Sequence, residues 1–399
     1  MSERIPFVDL GPWVERVRRA GDDREFTAGG VQSFLADVRE LLDSNEFLGG
    51  GPTTKKLEAT LSAKLGVANV VTCANGTDAL QLALRACGID RGSRVAMPNV
   101  TFWATYEAIV NVGATPVLID INPDDRQMDF DEFVRAHDAK RFDAAILVHL
   151  YGWCSSALTE YRVFCRKRHI TLIEDGAQAF GVTVDGQSVF ADADIATLSF
   201  HPAKVLGAIG DGGAVLTKTT RVADRVRALG NHGRVWNGRH QHVAAGWNSR
   251  MDAIQAAWLL RGLDVIDEVI EERRRLRDLY VTRLTEELLG AKPEAAARSP
   301  SYPGIQTNGY MTTLSMDRSH PDKRIPADVI IQHLAAVGIE ARRIYPYTIA
   351  DQSHHNAIEV GALYHSRRLT DHVVSLPLYY GMPEEYVERC VKAYVEAVK

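Results

Sequence analysis

Cysteine is scarce and unpatterned: five in 399 residues, at positions 73, 87, 154, 165 and 390. An odd number without paired spacing argues against a disulfide scaffold and against a metal cluster, and reads as reduced thiols in a cytoplasm. His201, His232, His240 and His242 also lack a zinc-ligand spacing, so no metal is expected. No apolar run approaches the roughly 18–20 residues that a membrane span requires. The first residues, Met-Ser-Glu-Arg-Ile-Pro-Phe, lack a basic segment followed by an apolar core, so no secretory leader is expected. Neither sign of charge dominates: 46 Lys and Arg stand against 51 Asp and Glu, a net charge of −5. With no basic cluster interleaved with aromatics, neither nucleic acid nor a membrane is an expected partner. Internal repeats and low-complexity tracts are missing too.

What remains is an ordinary globular composition, 46% hydrophobic and 24% charged. The length exceeds the roughly 250–300 residues that one core usually serves, so two domains are expected. Short apolar runs at Asn69–Cys73, Arg94–Met97, Thr115–Asp120, Ala144–His149, Ile170–Glu174, Asp194–Ser199 and Gly213–Thr217 alternate with helical stretches. Such runs fit strands covered on both faces, which predicts an α/β fold with a mainly parallel sheet. The expected division is a large α/β domain over 1–255, N-terminal arm included. Beyond it, 256–399 would hold a long linking helix and a small α+β domain. Glu271–Asp278, a charged block on that helix, reads as a solvated face, and 291–304, rich in Pro, Ala and Ser, as a connection.

Ligands of parallel sheets collect beyond the carboxyl ends of the strands, and the reactive residues fall there. Ala74-Asn-Gly76-Thr77-Asp78 joins a strand to a helix start, where free N–H groups attract a phosphate; Thr77 or Asp78 could instead simply cap the helix. Phe102 follows the next strand and offers a flat ring for stacking, or a core aromatic. Asp175 ends a buried strand, where a carboxylate needs a partner: a protonated ring nitrogen, or the backbone of an Asx turn. Gln178 lies one helical turn further on. Lys204 sits in the loop Ser199-Phe-His201-Pro-Ala-Lys204, followed by Gly207, Gly210, Gly212 and Gly213. A lysine withdrawn from water becomes a nucleophilic amine, whereas one in a glycine-rich loop is commonly a surface residue. An imine-forming amine together with a carboxylate for a pyridine nitrogen is what pyridoxal 5′-phosphate requires of a protein. His232 and the stretch Gly246-Trp-Asn248-Ser-Arg250 could complete a phosphate or substrate site, or cap the long helix.

These motifs resemble the DegT/DnrJ/EryC1/StrS family of pyridoxal-phosphate-dependent sugar aminotransferases. The likeness runs through Ile5–Leu10, Asn75–Leu80, Val148-His-Leu-Tyr151-Gly, Glu174–Gln178, Ser199–Ala214, Gly246–Ala257, Arg343-Ile-Tyr345-Pro and Ser375–Leu378. It implies the fold-type-I architecture, with a seven-stranded sheet in the large, cofactor-binding domain. It implies that Lys204 is the Schiff-base lysine and proton shuttle, Asp175 the partner of the ring nitrogen, Gln178 the ligand of the phenolic oxygen and Phe102 the stacking ring. Gly76, Thr77 and Ser199 would bind the phosphate, and Asn248 the phosphate of a neighbouring subunit, hence a homodimer with shared sites. Tyr151, His201, His232, Arg250 and Tyr345 are the candidate substrate contacts. The implied reaction moves an amino group from L-glutamate, leaving 2-oxoglutarate, through pyridoxamine 5′-phosphate to a nucleotide-linked keto-sugar. The product would be an amino sugar for a polysaccharide, lipopolysaccharide or glycosylated metabolite. Lysine at 204 argues against the dehydratase branch, and Leu206-Gly-Ala-Ile-Gly-Asp-Gly-Gly is similar to members that aminate C-3. Amination at C-4, a non-catalytic regulator and an enzyme acting on amino acids alone are the rival readings. Gly176, Val205, His201 and Trp153-Cys-Ser-Ser depart from the family's usual residues and bear on the sugar, not the cofactor.

Overall fold

The computed structural model describes residues 4–19, 29–235, 241–289, 302–315 and 325–398. Its strands are β1 (Asn69–Cys73), β2 (Arg94–Pro98), β3 (Thr115–Ile119), β4 (Ala144–Val148), β5 (Thr171–Asp175), β6 (Thr183–Val184), β7 (Gln187–Ser188), β8 (Ile195–Ser199), β9 (Gly213–Thr217), β10 (Ile305–Gln306), β11 (Thr312–Ser315), β12 (Ile358–Glu359) and β13 (Val373–Leu376). The helices are α1 (Gly11–Arg18), α2 (Gly29–Asp43), α3 (Pro52–Leu65), α4 (Gly76–Ala86), α5 (Trp103–Asn111), α6 (Phe130–Lys140), α7 (Leu158–Arg168), α8 (Thr220–Gly230), α9 (Ala253–Leu289), α10 (Ala327–Ala336), α11 (Tyr364–His372) and α12 (Glu384–Val398). Most of the 291–304 connection lies outside the described residues.

The main sheet has the order β1-β9-β8-β5-β4-β2-β3-β12. Only β9 runs against its neighbours, pairing antiparallel with β1 and β8. The mainly parallel sheet expected from the apolar runs is therefore present, as seven five-residue strands plus the two-residue edge strand β12. Two small antiparallel sheets, β10-β6-β7 and β11-β13, complete the strands. Burial on both faces follows from the strand repeat of two. In β4, Ala145 and Leu147 join one apolar cluster while Ala144, Ile146 and Val148 join the other.

Helix α9, 37 residues long, serves two cores. Trp258, Leu259, Leu263 and Ile266 pack with the sheet, whereas Leu276, Tyr280, Leu284 and Leu288 pack with α10, β13 and α12. The chain's beginning returns to this second core. Ile5 donates its N–H to the Gly338 carbonyl at 2.9 Å and accepts from the Glu340 N–H at 3.0 Å.

The charged block Glu271–Asp278 is a solvated face only in part: Glu271, Arg275 and Asp278 are exposed, whereas Arg273, Arg274 and Arg277 turn toward the protein. Arg273 donates to the carbonyls of Gly309, Tyr310 and Leu378 at 3.0–3.2 Å, and Arg274 to Gly181 O at 2.8 Å. Arg277 is buried, its guanidinium 5.0 Å from the Trp153 ring. Loop carbonyls that face α9 need donors, and Arg273 and Arg274 supply them. Among the described residues no helix is long and apolar enough to cross a membrane.

Gly176 has a local cause. A Cβ there would lie 2.4 Å from Cζ of the buried Phe190 ring and 2.9 Å from the Thr197 carbonyl. Gly176→Ala is accordingly expected to lower stability by about 1–3 kcal/mol, read from the urea midpoint. Pairing it with Phe190→Leu should cost less than the sum of the two single changes; strict additivity would show that the ring is not the obstacle.

Candidate active site

Beyond the carboxyl ends of β5 and β8 lies a cavity of about 540 Å³. Gly76, Thr77, Phe102, Asp175, Gln178, Ser199, His201, Lys204 and Tyr345 all line it. These nine come from five separate stretches of chain, which the fold brings to one place. Tyr151, His232, Asn248 and Arg250 do not line it.

One end of the cavity is the start of α4. The N-cap is Asn75, whose side chain accepts from the Asp78 N–H at 2.8 Å, rather than Thr77 or Asp78. Asp78 is not a lining residue; its carboxylate accepts from Gln81 Nε2 at 3.3 Å. The helix start abuts the end of β8 so closely that a Cβ on Gly76 would come within 2.7 Å of Ser199 Cβ. A glycine is needed for that approach, and it sets the Thr77 and Ser199 hydroxyls beside a helix N-terminus, a ready site for a phosphate.

Asp175 ends β5 only 5% exposed. Its Oδ1 accepts from the Ala177 N–H at 3.0 Å, so the Asx turn is real, while Oδ2 accepts only a long 3.3 Å bond from Thr105. Burial pushes this carboxyl above its ordinary range, against the opposing pull of the Ala177 N–H and the Lys204 charge. A buried acid satisfied by the backbone on one oxygen and underused on the other suits a cationic ring N–H. Glu174 points to the other side of the strand, where His149 bonds it at 3.0 Å and Arg162 at 2.8 Å.

Gln178 is clamped at both ends of its amide. Its Oε1 accepts from the Tyr151 N–H and its Nε2 donates to Tyr345 Oη, both at 2.6 Å. Tyr151 thus acts on the cavity through its backbone. Its ring is buried behind, centred 5.8 Å from that of Tyr345, and its hydroxyl has no partner. Burial pushes the Tyr345 phenol well above its usual range, so it stays a neutral hydroxyl.

Phe102 is 64% exposed at the start of α5, an uncovered ring on the cavity wall. Lys204 is half-buried, its Nζ 3.5 Å from Tyr310 Oη and 5.3 Å from the centre of that ring. His201 is exposed, and its Nδ1 accepts from the Ala203 N–H at 3.2 Å. Primary amine, underused carboxylate, flat ring and phosphate cradle in one cavity fit the donor set of pyridoxal phosphate.

The remaining three residues share one loop. His232 donates its backbone N–H to Trp247 O at 2.8 Å, and Arg250 donates to Asn248 Oδ1 at 2.7 Å. Thr105 and Arg273 also line the cavity, and no motif along the chain marks either of them. Tyr310 follows the pair Asn308-Gly309, a turn signal that is the one local mark of its position.

Residues 30–395 match the family described as the DegT/DnrJ/EryC1/StrS aminotransferase family. The chain is 35% identical over 361 residues to the UDP-N-acetyl-3-dehydro-alpha-D-glucosamine 3-aminotransferase of Acidithiobacillus ferrooxidans, covering 89% of this chain and 91% of that protein. Among solved structures it is similar to DesV of Streptomyces venezuelae in complex with a ketimine intermediate. The TM-score is 0.87 at 29% identity, covering 100% of this chain and 99% of that one. NtdA of Bacillus subtilis with bound cofactor PMP gives a TM-score of 0.84 at 26% identity, covering 100% and 86%.

The strained state of Asp175 is measurable without turnover. Its raised folded-state pKa means that the charged carboxylate costs stability above that pKa, a cost lost as pH falls through it. Asp175→Asn should therefore raise the Tm of cofactor-free protein near pH 7, with the gain shrinking once the medium is acid enough to protonate the wild-type carboxyl. A Tm that falls at pH 7 would contradict this account.

Proposed function

This chain belongs to the DegT/DnrJ/EryC1/StrS aminotransferase family, and from that premise we propose that it moves an amino group from L-glutamate to C-3 of a UDP- or dTDP-linked 3-keto-sugar. The enzyme class is a pyridoxal-phosphate-dependent sugar aminotransferase. The observation that carries the residue assignments is that Lys204 and Asp175, 29 positions apart, line one cavity. Bound there, pyridoxal phosphate supplies the electron sink and carries nitrogen between donor and acceptor.

The chain's own residues do the rest. Lys204 Nζ attaches the cofactor and, once released, holds and moves the proton at the substrate carbon that bears nitrogen. Asp175, through Oδ2, would pair with the ring nitrogen and keep it protonated. Gln178, fixed by Tyr151 and Tyr345, has a second Nε2 hydrogen that would serve the phenolic oxygen, and Phe102 would supply the stacking ring. Gly76, Thr77 and Ser199 would hold the phosphate. His201 and Tyr345, on the same wall, are assigned to the substrate.

Asn248, Arg250 and His232 act, in this reading, in the cavity of a second subunit. Their position on one loop, away from their own cavity, supports a homodimer with shared sites. In this reading a large domain over 1–255 and a small one over 256–399 would meet at the cavity, whose lining draws on both stretches of chain. The absence of a membrane-crossing helix among the described residues and the free cysteines support work in the cytoplasm, on an amino sugar destined for a polysaccharide or glycosylated metabolite. Amination at C-3 rather than C-4 is supported by the Leu206–Gly213 run and by the name of the Acidithiobacillus relative.

Mass spectrometry of products from a panel of 3-keto and 4-keto nucleotide sugars with glutamate, followed by NMR, tests this reading. The 3-keto substrates should gain an amine at C-3, and Lys204→Ala should abolish transfer. A C-4 amine would move the enzyme to the other branch, and exchange between amino acids alone would overturn the sugar assignment.

A further inference from the structure

We propose that Tyr310 is a positioning residue whose hydroxyl holds the Lys204 amine on station over the cavity. This rests on the reading of Lys204 as the proton carrier. The contact is direct: Lys204 Nζ donates to Tyr310 Oη at 3.5 Å and lies 5.3 Å from the ring centre. Tyr310 lines the same cavity as Lys204, Asp175 and Phe102.

The backbone that carries Tyr310 is held more tightly than a strand start needs. Asn308, fully buried, donates through Nδ2 to the carbonyls of Gln178 at 2.8 Å and Phe180 at 2.9 Å, and accepts from the Tyr310 N–H at 2.9 Å. Gly309 is in the left-handed region at φ +66°, where a Cβ would lie 2.6 Å from the Arg273 backbone. Arg273 donates to both the Gly309 and Tyr310 carbonyls, at 3.1 and 3.0 Å. Burial lowers the Arg273 pKa to about 10, still charged at neutral pH although only carbonyls receive its hydrogen bonds. Thr307 closes the bracket on Gly152 O at 2.8 Å. A guanidinium drawn partly out of water among carbonyls costs stability, and a left-handed turn beside it admits glycine alone; such a cost persists where the position of a side chain matters. The side chain that this bracket delivers is the one touching Lys204.

A phenol suits both charge states of the amine. It accepts a hydrogen bond from the ammonium and donates one to the neutral amine, keeping its own proton throughout. The proton that Nζ would take from the substrate carbon is the one it would pass on to the cofactor carbon, so the amine ends the exchange with the protons it began with. Tyr310 therefore fixes where that exchange occurs without entering its balance, and a wandering four-carbon arm loses the alignment that proton transfer needs.

The test is Tyr310→Phe in the holoenzyme, which keeps the ring and its packing. Single-turnover reaction with glutamate should slow by about tenfold or more with the KM for glutamate changed little. In the pyridoxamine-phosphate-loaded enzyme, acetic anhydride should acetylate Lys204 about fivefold faster than in the wild type, with exposed Lys56 as internal reference in peptide mass spectrometry. Unchanged turnover and unchanged acetylation, each within twofold, would overturn the role of Tyr310. If Lys204→Ala itself retained full turnover, the fault would lie in the assignment of Lys204 and not in its tyrosine partner.

Discussion

The site depends on a carboxylate that the fold carries into its interior without a matching side-chain cation. Asp175 sits at the last position of β5, between β4 and β8, and the sheet cannot form in its observed register without burying it. One oxygen is spent on the turn that follows; the other is left with a single long bond from a threonine. The cofactor-binding geometry around it can be understood as the surroundings of that unsatisfied charge. The lysine amine lowers its cost from across the cavity, and a cationic heterocycle would lower it further.

Around this charge the scaffold is built from close approaches. Gly76 lets a helix start touch the end of β8, and Gly176 makes room for Phe190 directly after Asp175. Gly309 sends Tyr310 toward Lys204. On the other side, α9 lends Arg273 and Arg274 to the carbonyls of 307–310 and 181, so the helix that links the two cores also fixes the cavity's far wall. Core packing and active-site geometry are in this way one set of contacts, and a change in α9 would be felt at Lys204.

Much of the fold could be read from the chain. Each of the seven apolar runs became a strand because burial on both faces forces an unbroken apolar sequence, which alternating or helical patterns do not imitate. Eight of the nine candidate residues in the cavity meet there for a related reason: residues at or just past the ends of parallel strands must converge at one sheet edge, whereas Tyr345 arrives on the loop after α10. Reading failed where a residue's partner lay far away in sequence. Composition gives Arg273 and Arg274 a solvent-facing reading because it cannot show that carbonyls 33 to 105 positions distant lie against them. Tyr151 was taken for a substrate contact, yet its side chain lies behind Gln178 and only its N–H serves the cavity. The helix cap fell to Asn75 rather than to the neighbours first considered, because the cap's extended backbone has to precede the first turn.

By itself the sequence determined the layered α/β architecture, since strand and helix periodicities are local, and the identity of the amine and the acid, since Lys204 and Asp175 each follow a buried strand. Family motifs added the class of reaction. Tertiary structure alone decided which of Asp175's oxygens remains free, that Gln178 is locked between two tyrosines, and that Tyr310 reaches the lysine. Those are matters of distance between segments remote in the chain, set by how two cores pack on α9, and no pattern along a single strand or helix encodes them.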